Sequence, residues 1–557
     1  MRVGRPHAAR SRRVAARAAV RPGPIHQRGG RPLHPSRREL RPPPSRLHRM
    51  AGPPGSERGS TGGPRAAARR CPRQAGSTRW LAHRSARPGA YAATATAWSA
   101  RSLPRRGRRD AQRGDTRPRC TGGALWCEHQ AAAINNFDEA TTFVRWGIQG
   151  QIQILSPAGT LTFSRNTMCG PPARTVGWRD PGFIHTSFLW ELWPNFMYTY
   201  QIGHWLFNGS IVWGHQYSFK APPYPGEDSL QRVVIFGDMG KAEVDGSNEF
   251  NDFEPGSLNT TNQLIKDLKN IDMIFHIGDI TYANGYLSQW DQFTAQVEPI
   301  ASTVPYMVGS GNHERDWPGS GSFYGNLDSG GECGVPAQNM FYVPAENREQ
   351  FWYSMEYGMF RFCIANTELD WRPGTEQYKF IEHCLSSVDR QKQPWLIFLA
   401  HRVLGYSSAT FYADEGTTEE PMGRESLQSL WQKYKVDIAM YGHVHGYERT
   451  CPVYENVCVA KGSDRYTGAF TPTTHVVVGG GGASLADYTA ARARWSHARD
   501  RDFGFAKLTA FNHTTLLFEY KKSRDGSVHD RFTVSRDYRD VLACGVDNCL
   551  HWVVKGS

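Results

Sequence analysis

The sequence predicts an α/β protein: a domain built on a largely parallel or mixed sheet, preceded by an antiparallel β-sandwich and an unstructured leader. Three observations carry this. From residue 231 onward, continuous apolar runs alternate with amphipathic stretches. Between residues 121 and 222, short runs alternate apolar and polar residues and are cut by Gly, Pro and Asn. Before residue 121, large apolar residues are scarce. A strand buried on both faces reads as an unbroken apolar run, and a half-buried strand alternates. A segment poor in apolar residues cannot offset its chain entropy.

The leader, 1–120, comes first in the chain. The 557 residues carry 65 Lys and Arg against 52 Asp and Glu, a net of +13 that suggests a nucleic-acid or anionic-surface binder. The distribution reverses that reading. Residues 1–120 hold 30 of the basic residues, all Arg, against four acidic ones (Glu39, Glu57, Asp110, Asp115), a net of +26. The remainder holds 35 basic against 48 acidic residues, a net of −13. So many Arg without one Lys is what translation of GC-rich non-coding or out-of-frame sequence gives. That reading is preferred to a transit peptide. It is also preferred to a nucleic-acid-binding arm, which would interleave aromatics for stacking. No nucleic-acid partner is expected.

In 121–222, the runs TTFVRWG, GTLTFS, ARTVGW, MYTYQIG and IVWGHQYSF are read as strands of a sandwich, and APPYPGEDS (221–229) as the connector that ends it. In 223–557, RVVIFGD, MIFHIGD, PYMVGSGN, FRFCIANTE, PWLIFLAH and VDIAMYGH are read as buried strands. Helices are expected at 257–270, 375–388 and 426–435, and a β-rich part from THVVVGGGGASL to DRFTVSRD closes the domain. GGGGAS (479–484) lacks the Lys-Ser/Thr of a phosphate-cradling P-loop and reads as a turn near the site.

No stretch is long and apolar enough to cross a membrane, and no secretory signal peptide is visible in this N-terminus. The body nevertheless looks secreted. Asn208, Asn259 and Asn512 stand in N-x-[ST] glycosylation acceptors, and Cys451/Cys458 and Cys544/Cys549 form closely spaced pairs.

The functional signal lies at the strand ends. After successive apolar runs stand Asp238, Asp279 with Tyr282, Asn312 with His313 and Glu314, His401, and His443 with His445. Sites in open α/β sheets form at the carboxyl ends of strands. Two carboxylates, a phenol, an amide and three imidazoles exceed the four ligands of one zinc and suit two metals sharing a bridging carboxylate. A phenolate favours a trivalent ion such as Fe³⁺; the other donors suit Zn²⁺, Mn²⁺ or Fe²⁺. Paired metals fit hydrolysis of phosphate esters. The glycines before the ligands are read as letting the chain turn sharply off each strand.

The ordered set GDMG, GDITY, GNHE, His401 and GHVH resembles the purple acid phosphatases, within the calcineurin-like metallophosphoesterases. CGPPARTVGWRDPGFIHTSF, LQRVVIFGDMGKAE and SRDGSVHDRFTVSRDYRDVLAC look like the large plant members, some named nucleotide pyrophosphatase/phosphodiesterase-like and some probable inactive. The resemblance covers roughly 125–557. It implies a four-layer β-sandwich flanked by helices, behind a fibronectin-type-III-like domain. It also implies Fe³⁺ on Asp238, Tyr282 and His445, a divalent metal on Asn312, His401 and His443, and Asp279 as the bridge. A metal-bound hydroxide would attack phosphorus, with His313 positioning phosphate or donating a proton. The partner implied is a phosphate-ester substrate, and a homodimer is compatible with the family.

Two departures stand out. The usual V-x-x-H reads Phe398-Leu399-Ala400-His401, and the first position only packs. Active plant members carry another His about ten residues on, whereas RVLGYSSATFYADEG places Phe411 or Tyr412 there. General acid catalysis typically contributes ~10²–10⁴-fold. The expectation is therefore an enzyme that prefers good leaving groups, such as pyrophosphates or activated phosphodiesters. The alternative is a homologue that binds metal but is catalytically weak.

Overall fold

The computed structural model describes residues 93–94, 141–151, 153–243, 254–410, 422–460, 462–467, 472–490 and 493–537. Nearly all of the leader, the Cys544/Cys549 pair and Phe411 with Tyr412 lie outside them.

The N-terminal part is antiparallel throughout. Its strands are β1 (Ala93–Thr94), β2 (Thr141–Ile148), β3 (Ile154–Leu161), β4 (Ile184–Leu189), β5 (Met197–Trp205) and β6 (Ile211–Lys220), in the order β1-β4-β3-β2-β5-β6. β3 changes partner midway. Ile154–Pro157 pair with β2, and Ala158–Leu161 pair with β4. A strand that switches neighbours makes the corner of a sandwich. Val144, Trp146, Tyr198, Tyr200 and Phe219 fill its core, with the Trp146 indole donating to Ser156 at 2.8 Å.

Ala93 and Thr94, inside the leader, pair with Leu189 and Phe188, because an edge strand offers unpaired backbone groups to any extended segment. One expectation, the strand in ARTVGW, is corrected here. ARTVGW is a run of turns, not a strand. Its backbone donors mostly close local turns, as Thr175 N and Gly177 N do on Pro172 O at 2.8 and 2.9 Å, while Ala173 N reaches another loop and donates to Gly330 O at 3.1 Å.

Apart from a two-stranded ribbon of β15 (Val453–Tyr454) and β16 (Val457–Cys458), the second part divides its strands between two seven-stranded sheets, where the residue pattern alone suggested one. The first has the order β17-β22-β21-β20-β7-β8-β9. It joins parallel β7 (Gln231–Phe236), β8 (Met273–Ile277) and β9 (Tyr306–Gly309) to the antiparallel run β20 (Gly504–Asn512), β21 (Thr515–Lys522) and β22 (Val528–Ser535), with β17 (Arg465–Thr467) at the edge. The second has the order β10-β11-β12-β13-β18-β14-β19. Its parallel centre is β11 (Phe360–Ile364), β12 (Trp395–Ala400), β13 (Ile438–Tyr441) and β18 (Thr474–Val478). β10 (Tyr353–Tyr357), β14 (Tyr447–Thr450) and β19 (Ser496–Asp500) pair antiparallel.

Period-2 alternation explains the layering. Ile397 and Leu399 join the core between the sheets, where Phe275 meets Phe362 at 4.5 Å. Leu396, Phe398 and Ala400 turn the other way, onto α3 (Glu376–Ser386) and α4 (Met422–Lys433). On the first sheet's outer face lie α1 (Pro255–Asp267) and α2 (Ser288–Ala301), the latter not anticipated from the sequence. The result is helix, sheet, sheet, helix. Every strand that precedes a proposed ligand belongs to the parallel part of one sheet or the other.

Candidate metal centre

Asp238, Asp279 and Asn312 follow β7, β8 and β9 of the first sheet; His401, His443 and His445 follow β12 and β13 of the second. The two parallel halves therefore deliver their carboxyl ends to one place, and all seven expected ligands converge there. Asp238, Asp279 and His401 are almost fully buried, and His443 and His445 are partly exposed.

The donors fall into two sets. Asp279, His401 and His443 can hold one ion, and Asp238, Asp279 and His445 another, so Asp279 belongs to both. In the first set His401 Nε2 lies 3.2 Å from Asp279 Oδ1 and 3.0 Å from Asn312 Oδ1, and His443 Nδ1 lies 3.0 Å from the same amide oxygen. In the second, Tyr282 Oη lies 2.8 Å from His445 Nε2 and 3.3 Å from Asp238 Oδ1. Donors bound at about 2.0–2.2 Å around one ion stand roughly 2.8–3.6 Å apart, so the spacing fits.

The hydrogen bonds point the same way. Carbonyl oxygens only accept, so His401 Nδ1 donates to Ile277 O at 3.0 Å and His445 Nδ1 to Ser484 O at 2.6 Å. Each ring is thereby oriented with Nε2 facing the site. Burial alone would lower the His401 pKa; the Asp279 and Asp238 carboxylates overcome this and raise it to about 10. Burial likewise opposes charge on Asp279, but His401 and His313 hold its carboxyl well below the usual range.

Backbone strain sits on the ligands themselves. Asp238, Asp279, Tyr282 and His443 have φ of 60°, 50°, 51° and 65°. Left-handed non-glycine residues cost about 1–3 kcal/mol each and persist only where surroundings enforce them. Here His443 N donates to both Asp238 carboxylate oxygens, at 3.0 and 2.8 Å. Gly278, with φ of 95°, makes the expected sharp turn before Asp279, whereas Gly311 and Gly442 serve a different purpose. A Cβ at Gly442 would lie 2.6 Å from Asp238 Oδ2, and one at Gly311 would strike Asp279. They provide room for close approach. The glycine run at 479–482 does the same on the other side, where Ala483 N donates to Asp238 O at 3.0 Å.

His313 sits beside the bridge. Its N donates to Asp279 Oδ1 at 3.0 Å, its Nε2 is 4.0 Å from Asp279 Oδ2, and its ring lies 4.4 Å from that of Tyr282. Three supporting residues had no expected role. The Glu314 carboxylate accepts from Asp279 N at 2.8 Å, Ile280 N at 2.7 Å and Gly311 N at 2.9 Å. Burial and then Asp279 push its pKa to about 8. The Gly-x-x-Glu spacing at a helix start was the readable signal. Buried Arg402 donates to Glu368 at 2.8 Å and reaches within 3.5 Å of His443 Nε2. Asn284 Oδ1 accepts from His313 Nδ1 at 2.7 Å. The last two contacts join distant segments and left no local pattern.

Comparison with known proteins agrees with this geometry. Residues 231–447 match the calcineurin-like phosphoesterase family, and residues 473–531 match the iron/zinc purple acid phosphatase-like protein C family. The chain is 68% identical over 434 residues to "Probable inactive purple acid phosphatase 27" of Arabidopsis thaliana, covering 78% of this chain and 71% of that protein. It is 66% identical over 343 residues to a nucleotide pyrophosphatase/phosphodiesterase of Hordeum vulgare, covering 62% of this chain and 93% of that one. A solved purple acid phosphatase from yellow lupin (Lupinus luteus) seeds superposes with a TM-score of 0.72 at 72% identity, covering 75% of this chain and 73% of that chain. The chain belongs to the purple acid phosphatases, hydrolases of the calcineurin-like metallophosphoesterase superfamily.

Proposed function

We propose that this protein hydrolyses phosphate esters at a two-metal centre and favours nucleotide pyrophosphate or phosphodiester bonds. The observation that carries the reading is that Asp279 belongs to both donor sets. Asp238, Tyr282 and His445 would hold Fe³⁺, Asn312, His401 and His443 a divalent Zn²⁺, Mn²⁺ or Fe²⁺, and Asp279 would bridge. When bound, such a pair polarises phosphoryl oxygens and lowers the pKa of a water.

The chain's own groups do the rest. Burial, then Asp279 and Asp238, keep the Tyr282 phenol well above its ordinary pKa. It gives up its proton only to a strong Lewis acid, which supports a trivalent ion and a purple phenolate charge-transfer band. His313, 25% exposed, presents Nε2 beside Asp279 to hold a phosphoryl oxygen or protonate a leaving group. No His follows His401 in RVLGYSSATFYADEG, which favours leaving groups that depart without an acid.

A second reading, a metal-binding but catalytically weak protein, is favoured by the "probable inactive" names of three relatives at 66–68% identity. One experiment addresses both. Metal content, visible spectrum and turnover of an alkyl monoester and a nucleotide pyrophosphate are measured on one sample. Two metals, purple colour and preferential pyrophosphate cleavage are expected. Two metals without turnover would select the second reading, and equal turnover of both substrates would sink the preference.

Secretion and glycosylation belong to the same proposal. The disulfides Cys169–Cys333, Cys363–Cys384 and Cys451–Cys458 support an oxidising destination. Asn208 is exposed in a turn, Asn512 lies partly buried at a hairpin end, and Asn259 lies on the exposed face of α1. A homodimer is retained as a proposal to be checked by solution mass.

A further inference from the structure

We infer that the segment Cys169–Trp178 of the N-terminal part is a positioning element for catalysis, acting through Asn284 on His313. The inference rests on the role given to His313 above.

Asn284 Oδ1 can only accept, so the 2.7 Å contact fixes the proton on His313 Nδ1 and turns Nε2 toward Asp279. The stacked Tyr282 ring bounds the imidazole on another side. His313 is therefore aimed by one side chain two residues beyond Tyr282. That side chain is aimed in turn by a strained backbone, since Asn284 has φ of 46°. Asparagine enters this left-handed region more readily than most residues with a Cβ, and the packing around Asn284 holds it there.

Two segments enforce it. From 330–333, Gly330 packs so closely on Asn284 that a Cβ there would strike the Asn284 carbonyl oxygen. The fully buried Glu332 accepts from Gly285 N at 2.8 Å and from the Trp290 indole at 3.0 Å. From the N-terminal part, Leu287 N donates to Gly177 O at 2.9 Å, and a Cβ at Gly177 would strike the Gly285 carbonyl. Cys169 N donates to Gly331 O at 2.8 Å, and Cys169 is disulfide-bonded to Cys333. The three segments form one stack, 169–178 on 284–287 and 329–333. Glycine occupies each position where backbone meets backbone. The order of control is N-terminal segment, Asn284 loop, His313.

The test uses the metal-loaded full chain and four variants: His313→Ala, Asn284→Ala, Asn284→Asp and Gly177→Ala. Asn284→Ala should lower kcat about 10- to 100-fold, as expected for a misplaced catalytic group, with KM and both metals retained. Asn284→Asp keeps the acceptor and should recover most of the loss. Gly177→Ala, whose Cα belongs to the N-terminal part, should lower kcat in the same way. Combined with Asn284→Ala it should add little, because both act on one contact. A Gly177→Ala protein with native kcat, or a double variant whose losses multiply, would overturn the inference. If Gly177→Ala does not fold, the Asn284 pair decides, and equal kcat for Asn284→Ala and wild type would overturn it. A His313→Ala protein of native kcat would instead refute the role of His313 itself.

Discussion

Glu314 offers the sharpest test of how this centre is held. The side chain is 1% exposed, and its carboxylate accepts three backbone N–H groups, from Asp279, Ile280 and Gly311. Replacement by Ala leaves three buried donors without that acceptor. Each unsatisfied donor costs about 1–3 kcal/mol, and water entering the vacated space recovers part of that. Glu314→Ala should therefore lose about 3–5 kcal/mol, the range seen when one member of a buried polar network is removed. Glu314→Gln has a graded effect. Its amide oxygen can still serve the Asp279 and Gly311 N–H groups, while its NH₂ faces the Ile280 N–H, so about 1–3 kcal/mol is lost. The assay is urea unfolding of protein stripped of metal, so that bound ions do not mask the change. Metal content after reconstitution is measured in parallel. Glu314→Ala within 1 kcal/mol of wild type, or more stable than Glu314→Gln, would refute the reasoning.

Three further outcomes follow. On the metal assignment proposed above, His445→Ala should remove the iron and the visible band, whereas His443→Ala should lose the divalent metal and keep the colour; element analysis and spectra distinguish them. The double variant Cys169→Ser/Cys333→Ser opens a loop with a sequence separation of 164 and should lose about 2–5 kcal/mol in denaturant titrations. Asp267, on α1, meets Lys507 and Lys521 of the first sheet, each at 3.1 Å. Burial opposes its charge, but hydrogen bonds from Asn270 and Lys507 and the lysine charges lower its pKa to about 2. Its contribution is therefore fully present above about pH 4 and is lost as pH falls through 2. The stability gap between wild type and Asp267→Asn should close over that window, and a gap constant from pH 6 to pH 2 would contradict it.

The sequence by itself determined most of the chemistry. Each proposed ligand follows a buried strand, and that local pattern survives whatever the strands later join. Asp238, Asp279, Asn312, His401, His443 and His445 were legible for this reason, as was Tyr282 three residues after Asp279. The alternation in PWLIFLAH also held, because period 2 is a property of any strand. The sequence misassigned ARTVGW, whose apolar residues and glycine imitate a strand. Its N–H groups close local turns on Gly170, Pro172 and Thr175, and Ala173 N donates to Gly330, more than 150 residues away. The residue pattern gave no sign of Arg402 beside His443 or of Asn284 on His313, and the division of one strand series between two sheets came only from the family resemblance. Those depend on which surfaces meet, and burial is favourable for either arrangement. Only the tertiary structure places the carboxyl ends of the parallel strands of two mixed sheets opposite each other. It thereby brings an aspartate from one and two histidines from the other within 4.8 Å. The donors are written in the local sequence, and their convergence is a property of the packed sheets.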